Sequence, residues 1–279
     1  MSATIDAIVR TRKIASDILT ESLKNIEGLS EVKIREKILT EIKKHTNIFP
    51  EGYYNPPPFG TVVLADQKPF KHFKYDSLRN PDFWSKEDSF VEKESVVMIY
   101  LSPVDRKTNM IGDIGLTIYA GNNQEIKKHI KKSYNATLSI AKHAEVGMTF
   151  SELCEFAKNL FEGSVRPTKW IAISSDPNQT MNLGHTIPGS FEDNLFFGNT
   201  FEEIKENIRV KRIPFIDTEN FKIPATCAFT VESRLEDFNN PDLPSVHFHF
   251  MVCFDKKKKI ILENYDKIFS MVGMDYMNK

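Results

Sequence analysis

PSVHFHFMVCF, residues 244–254, has the composition of a buried strand yet carries two histidines. In an extended strand successive side chains point to opposite faces, so His247 and His249 share one face and Phe248 and Phe250 the other. Working outward, ATCAFTVESRL at 225–235 precedes this run and KIILEN at 259–264 follows it. The three runs are separated by turn-forming residues and read as an antiparallel meander. KKKK at 256–259 falls between two apolar stretches and reads as a solvated hairpin turn. Glu232 lies on the opposite face of its run from Phe229 and Val231, and a carboxylate in so apolar a strand needs a partner. On local evidence the two histidines are either part of a metal site or a hydrogen-bonded pair at the rim of a sheet.

The rest of the chain mixes helices with strands. Apolar side chains at Ile5, Ile8, Val9, Ala15, Ile18 and Leu19 predict a helix that Gly28 ends, and Ser30 is the expected N-cap of a second helix with a stripe at Ile34, Ile38, Leu39 and Ile42. Strands are predicted at GTVVLA (60–65), SVVMIYLSPV (95–104), GDIGLTIYAG (112–121) and KWIAISS (169–175). A long helix carries Ile126, Ile130, Tyr134, Leu138 and Ala141 and stops at Gly147. Thr149 and Glu152 have the spacing of a capping box that opens another. The aromatic loop FPEGYYNPPPFG is long enough to border a pocket. The economical class is α+β with a mainly antiparallel sheet.

Bulk composition narrows the function classes. The 279 residues are 41% hydrophobic and 27% charged, as in an ordinary folded protein. With 37 basic and 38 acidic side chains the net charge is -1, which removes the electrostatic argument for a nucleic acid or anionic membrane partner. Cys154, Cys227 and Cys253 are widely spaced without a CxxC, which argues for a reducing compartment. The amphipathic N-terminus has no apolar stretch suited to a signal peptide or membrane span, and the expectation is a cytoplasmic protein. Ordered P-loop, GxGxxG, SxxK and GxSxG motifs are absent, which gives nucleotide binding and serine hydrolysis little support.

Four strings hold most of the potential ligands: GDIG with Asp113, NLGH with His185 in what reads as a loop, TVES with Glu232, and the HFH pair. An Asp on a strand before a helix pair, a Gly-His, a Glu on a later strand and a ligand-type residue on the next resembles the pita-bread metallopeptidases. That family includes methionine aminopeptidase, aminopeptidase P, prolidase and the metal-free creatinase. The resemblance implies a single domain over 1–279 with pseudo-twofold halves, about 1–165 and 166–279, a curved antiparallel sheet and helices outside. It implies a site in which Asp113, His185, Glu232 and His249 hold a metal, with Glu192 (or Asp193) and His247 as catalytic groups.

The sequence also departs from the family pattern. The first metal-binding Asp is missing, and Tyr100 or Ser102 stands in its place. The last bridging Glu aligns with His249, or with His247. With one acid lost and another replaced by imidazole, two closely spaced cations lack the anionic ligands that would offset their repulsion, so a single metal is expected. Two imidazoles with one or two carboxylates suit zinc, manganese or iron better than magnesium or calcium. The resemblance therefore implies a metallo-hydrolase of aminopeptidase type acting on a C–N bond of a small molecule or short peptide, with a homodimer as a common family assembly. A non-haem iron oxygenase using two His and a carboxylate, and a non-catalytic binding protein on the same scaffold, are the alternatives.

Overall fold

The computed structural model describes residues 1–73, 78, 80–168, 181–191 and 198–277. Two helices open the chain: α1 (Ala3–Ser22), capped by the Ser2 side chain, and α2 (Glu31–Ile42), capped by Ser30 as its sequence predicts. Three strands follow, β1 (Thr61–Asp66), β2 (Val96–Leu101) and β3 (Ile114–Ile118). Helices α3 (Gln124–His143) and α4 (Phe150–Phe161) come next, the second opened by the Thr149–Glu152 capping box. After β4 (Val165–Pro167), β5 (Asn182–His185), α5 (Phe201–Lys211) and β6 (Pro214–Ile216), the chain closes with the long strands β7 (Cys227–Asp237) and β8 (Val246–Asp255), then β9 (Lys258–Leu262) and α6 (Asp266–Met271).

Among the described residues the main sheet has seven strands in the order β1-β2-β3-β8-β7-β4, with β9 also on β8, and every pair is antiparallel. Strands β7 and β8 pair continuously from Cys227↔Phe254 to Leu235↔Val246, which sets Glu232 directly opposite His249. The other edge of β8 is divided. β9 takes Met251 to Asp255, and β3 pairs only at Leu116↔Phe248. The hairpin between β8 and β9 turns at Lys256 and Lys257, both with positive φ, where the lysine run predicts a turn.

The alternation along β8 divides its residues between two environments. On one face Phe248 and Phe250 pack against Tyr134 of α3, with ring centroids 5.1 and 5.3 Å away, and against Tyr265. Burying each phenylalanine contributes about 2–3 kcal/mol. That face sets the register, since a slip of one residue would exchange it for the imidazoles.

Several elements differ from the sequence reading. NLGH forms β5 rather than a loop: the His185 N–H donates to Thr230 Oγ1 at 2.9 Å, and an isolated bridge, Thr186↔Phe229, continues the contact with β7. Gly184 has φ +138°, and a Cβ there would lie 2.3 Å from the Thr230 carbonyl oxygen, so only glycine permits this approach. So short and irregular a strand has no alternation to read. Helix α5 buries only Ile204, Lys205 and Ile208, and α6 has six residues; neither presents a readable stripe. The predicted strand at 169–175 lies outside the described residues. The three cysteines are buried free thiols, pushed up to about 12 by burial. Among the described residues no helix is long and apolar enough to cross a membrane.

Candidate metal centre

Glu232 is the middle of the site. It projects from β7 between two groups of acceptors, with Oε1 3.8 Å from His185 Nε2 and Oε2 3.6 Å from His249 Nδ1. On the first side, Asp113 stands immediately before β3 and its Oδ2 lies 3.7 Å from His185 Nε2. On the second, His247 joins His249: one ligand atom each from Glu232, His247 and His249 lie within 4.8 Å of one another. Strand register accounts for this half, because Glu232 is opposite His249 and Arg234 opposite His247.

Space for the imidazoles comes from Gly115 on β3. A Cβ at that position would sit 2.5 Å from His247 Nε2 and 3.3 Å from the His249 Cβ. Tyr100 pairs with Gly115 across β2 and β3, and its ring stacks on that of His249 with centroids 6.0 Å apart. Ser102, the other residue considered at the missing ligand position, is committed elsewhere: its hydroxyl donates to the Gly60 carbonyl at 3.1 Å and accepts from the Tyr54 N–H at 3.2 Å.

Two residues that sequence reasoning did not single out complete the first side. The Tyr53 hydroxyl donates to Asp113 Oδ2 at 2.9 Å and lies 3.3 Å from His185 Nε2. Arg212, at the C-cap of α5, donates to the Tyr53 oxygen at 3.1 Å and lies over its ring. Tyr53 belongs to the loop FPEGYYNPPPFG, whose length and aromatic content are its only sequence signal; Arg212 carries none. Both line a pocket of about 280 Å3 together with Tyr54, Asn55, Lys205 and Arg209. Glu192 and Asp193 lie outside the described residues.

The protonation pattern follows from burial. Burial pushes the Asp113 carboxyl up to about 7, against the Tyr53 hydrogen bond and the positive charges of Arg212 and Arg12. It pushes Glu232 up to about 8, helped by the charge of Asp113. Burial likewise lowers His185 and His247 to about 3 and His249 well below the usual range, so all three imidazoles are neutral near pH 7. His185 Nδ1 faces the Thr186 carbonyl at 2.9 Å; a carbonyl only accepts, so Nδ1 carries the proton and Nε2 turns a bare lone pair toward both carboxylates.

These contacts test whether the site suits a cation. A lone pair on His185 Nε2 faces two carboxylate oxygens at distances too long for hydrogen bonds, and neither ring nitrogen of His249 makes a hydrogen bond among the described residues. Buried acceptors facing acceptors are costly without a proton or metal between them, and the raised carboxyl values mean that protons fill this place in the metal-free chain, where a cation would displace them. Neutral imidazole plus carboxylate is also the donor set that borderline divalent metals take, and two His with one Glu is a catalytic zinc set. The residues fit a metal.

By sequence alone, no family profile and no curated protein matches the chain. Its fold does have known counterparts. The chain is similar to X-Pro aminopeptidase from Thermotoga maritima MSB8, with TM-score 0.62 and 15% identity over 94% of this chain and 61% of that one. It is similar to prolidase from Pyrococcus horikoshii OT3, with TM-score 0.63 and 17% identity over 94% and 62%. Prolidase from Pyrococcus furiosus gives 0.63 and 16% over 94% and 64%. The chain therefore has the pita-bread fold, as GDIG, NLGH and TVES suggest, and carries a buried His/His/Glu group on that scaffold. It spans about three fifths of the length of the solved structures it matches.

Proposed function

We propose that this chain is a metal-dependent hydrolase of a C–N bond in a small peptide-like or amide substrate, with one zinc, manganese or ferrous ion held by Glu232, His247 and His249. The observation that carries the reading is the set of buried acceptors around Glu232, whose two oxygens face imidazole nitrogens at 3.8 and 3.6 Å. His247, expected from the sequence as a catalytic group, is here assigned to the ligand set, and Asp113 and His185 to the opposite oxygen of Glu232. When bound, the metal would supply a Lewis acid that polarises a carbonyl and acidifies a water.

The chain's own groups divide the remaining work. An Asp113 carboxyl near 7 is suited to take up and release a proton at neutral pH. Tyr53 holds that carboxyl by its hydrogen bond, and Arg212 offsets the negative charge that builds when the carboxyl ionises. The neutral His185 presents an acceptor beside Asp113, where a water or a substrate amide N–H would be oriented. The 280 Å3 pocket beside Tyr53 and Arg212 suits a small substrate rather than a folded protein.

A second reading has its own support: two His and one carboxylate is also the donor set of non-haem iron oxygenases. Elemental analysis of protein purified without added metal or chelator, beside the His249→Ala variant and with hydrolysis of a dipeptide panel, tests both. About one equivalent of zinc or manganese, lost in the variant together with dipeptide hydrolysis, is the expected result. Iron with iron-dependent oxygen uptake and no hydrolysis would move the assignment to the second reading. No bound metal in either protein, at any concentration added back, would leave a binding protein on this scaffold.

A further inference from the structure

The side chain of Arg12 is fully buried in α1, and it reaches the backbone on which the site is built. One guanidinium nitrogen, Nη1, donates to the carbonyl of Asp113. The other, Nη2, donates to the carbonyl of His249 at 2.7 Å and to that of Glu263 at 2.9 Å. The guanidinium carbon lies 5.3 Å from the centroid of the Tyr265 ring. Three carbonyl oxygens and an aromatic face thus surround a charge that usually pairs with a carboxylate.

The location gives these contacts their meaning. Strands β3 and β8 pair at one position, Leu116↔Phe248. Beyond it, side chains span the gap. The Tyr265 hydroxyl accepts from the His249 N–H at 3.0 Å and reaches the carbonyls of Gly115 and His249. The fork of Arg12 spans the same gap one step further, from Asp113, the residue immediately before β3, to the residue on β8 that faces Glu232. Helix α1 can approach this closely because residue 112 is glycine: a Cβ there would lie 2.4 Å from the Arg12 backbone nitrogen.

We infer that Arg12 is a positioning residue of the metal centre, holding the Asp113 side of the site at a set distance from the His249 side by tying their two carbonyls with one rigid planar fork. The inference rests on the assignment of a metal to Glu232, His247 and His249. Lysine keeps the charge but cannot reach both carbonyls in one plane, and methionine keeps only the volume. The role is a positioning one, since Arg12 reaches the site through backbone atoms.

Cobalt(II) titration of the wild-type chain, Arg12→Lys, Arg12→Met and Tyr265→Phe, followed by visible absorption, tests this. Each variant is first checked for a cooperative unfolding transition. The expected result is Co(II) affinity about tenfold or more weaker in Arg12→Lys, with a changed ligand-field spectrum, and a smaller change in Tyr265→Phe. A folded Arg12→Lys with wild-type affinity and spectrum overturns the inference. If Arg12→Met does not fold, the lysine and Tyr265→Phe variants still decide. If the wild-type chain binds no Co(II), the metal assignment itself fails, and the positioning role is read from imidazole 1H–15N spectra of the metal-free chain. There, Arg12→Lys must move the His249 resonances and leave those of His129 in place; unmoved His249 resonances overturn it.

Discussion

The two edges of β8 are built differently. Toward β7 the ladder is uninterrupted for nine residue pairs, and Glu232 is brought opposite His249 by register alone. Toward β3 there is one pair, and the rest of the seam is held by side chains: Thr117 accepts from the His247 N–H at 2.8 Å, Tyr265 bridges at His249, and Arg12 clamps the end. A ladder copies its spacing from the peptide backbone and tolerates many sequences. A seam of side chains sets whatever spacing its particular residues dictate. The site lies where the two meet, so half of its geometry is generic and half is specific to this chain.

The largest effect is expected from forcing the seam. In Gly115→Ala the new Cβ would press on His247 Nε2. Overpacking of this kind costs about 1–3 kcal/mol. Urea unfolding should show that loss, and metal affinity should fall with it; unchanged values in both would mean that the seam is loose enough to absorb a methyl group.

The second test uses pH, because Asp113 belongs to the seam and Glu232 to the ladder. Their folded-state values, about 7 and about 8, lie above the ordinary carboxyl range. The folded chain therefore binds more protons than the unfolded one between these limits. The stability this contributes is complete below about pH 4 and is lost as pH rises through 7 to 8. The lowered values of His185 and His247 act in the opposite region, where stability falls as pH drops from the usual histidine range toward 3. Metal-free protein should thus have a lower urea midpoint at about pH 8.5 than at about pH 6.5, and saturating zinc or manganese should remove the Glu232 share of that decline and leave the Asp113 share. A decline that persists in full with metal bound would place Glu232 outside the ligand environment.

The smallest effect is expected at Thr117. Thr117→Val removes the acceptor of the buried His247 N–H, which costs about 1 kcal/mol and leaves the β7–β8 ladder intact. Amide exchange should quicken at His247 and remain slow along β7. Equal acceleration on both strands would mean that β8 opens as one unit with its ladder, with no separate seam.

The same division explains what could be read in the sequence. Strands β7, β8 and β9, the phenylalanine and histidine faces of β8, the Ser30 cap and the Thr149 capping box all express local periodicity or local hydrogen bonding, and all appear where the sequence reading puts them. Asp113, His185 and Glu232 were found through short motifs, and the fold brings Asp113 and Glu232 each within 4 Å of His185. Tyr53, Arg12 and Arg212 were not. Tyr53 acts from an irregular loop, Arg12 from the buried stripe of a helix where arginine is rarely found, and Arg212 from a helix terminus after a polar segment. Each makes its contacts across more than a hundred positions or from a segment without a period, and no local pattern encodes such a meeting.

The two faces of β8 also make the chain sensitive to a particular kind of genetic change. An insertion or deletion of three nucleotides in the loop before Val246 alters only a connection. The same change within Val246–His249, placed between the two histidines, would break their shared face, so that one imidazole stays beside Glu232 and the other turns toward the side of Tyr134. The product would have nearly the same composition, length and hydropathy as the parent and would lack one of its two histidine ligands. In a collection of related sequences, the reading frame of alternation across these four residues would separate the chains that keep a metal centre from those that have lost one.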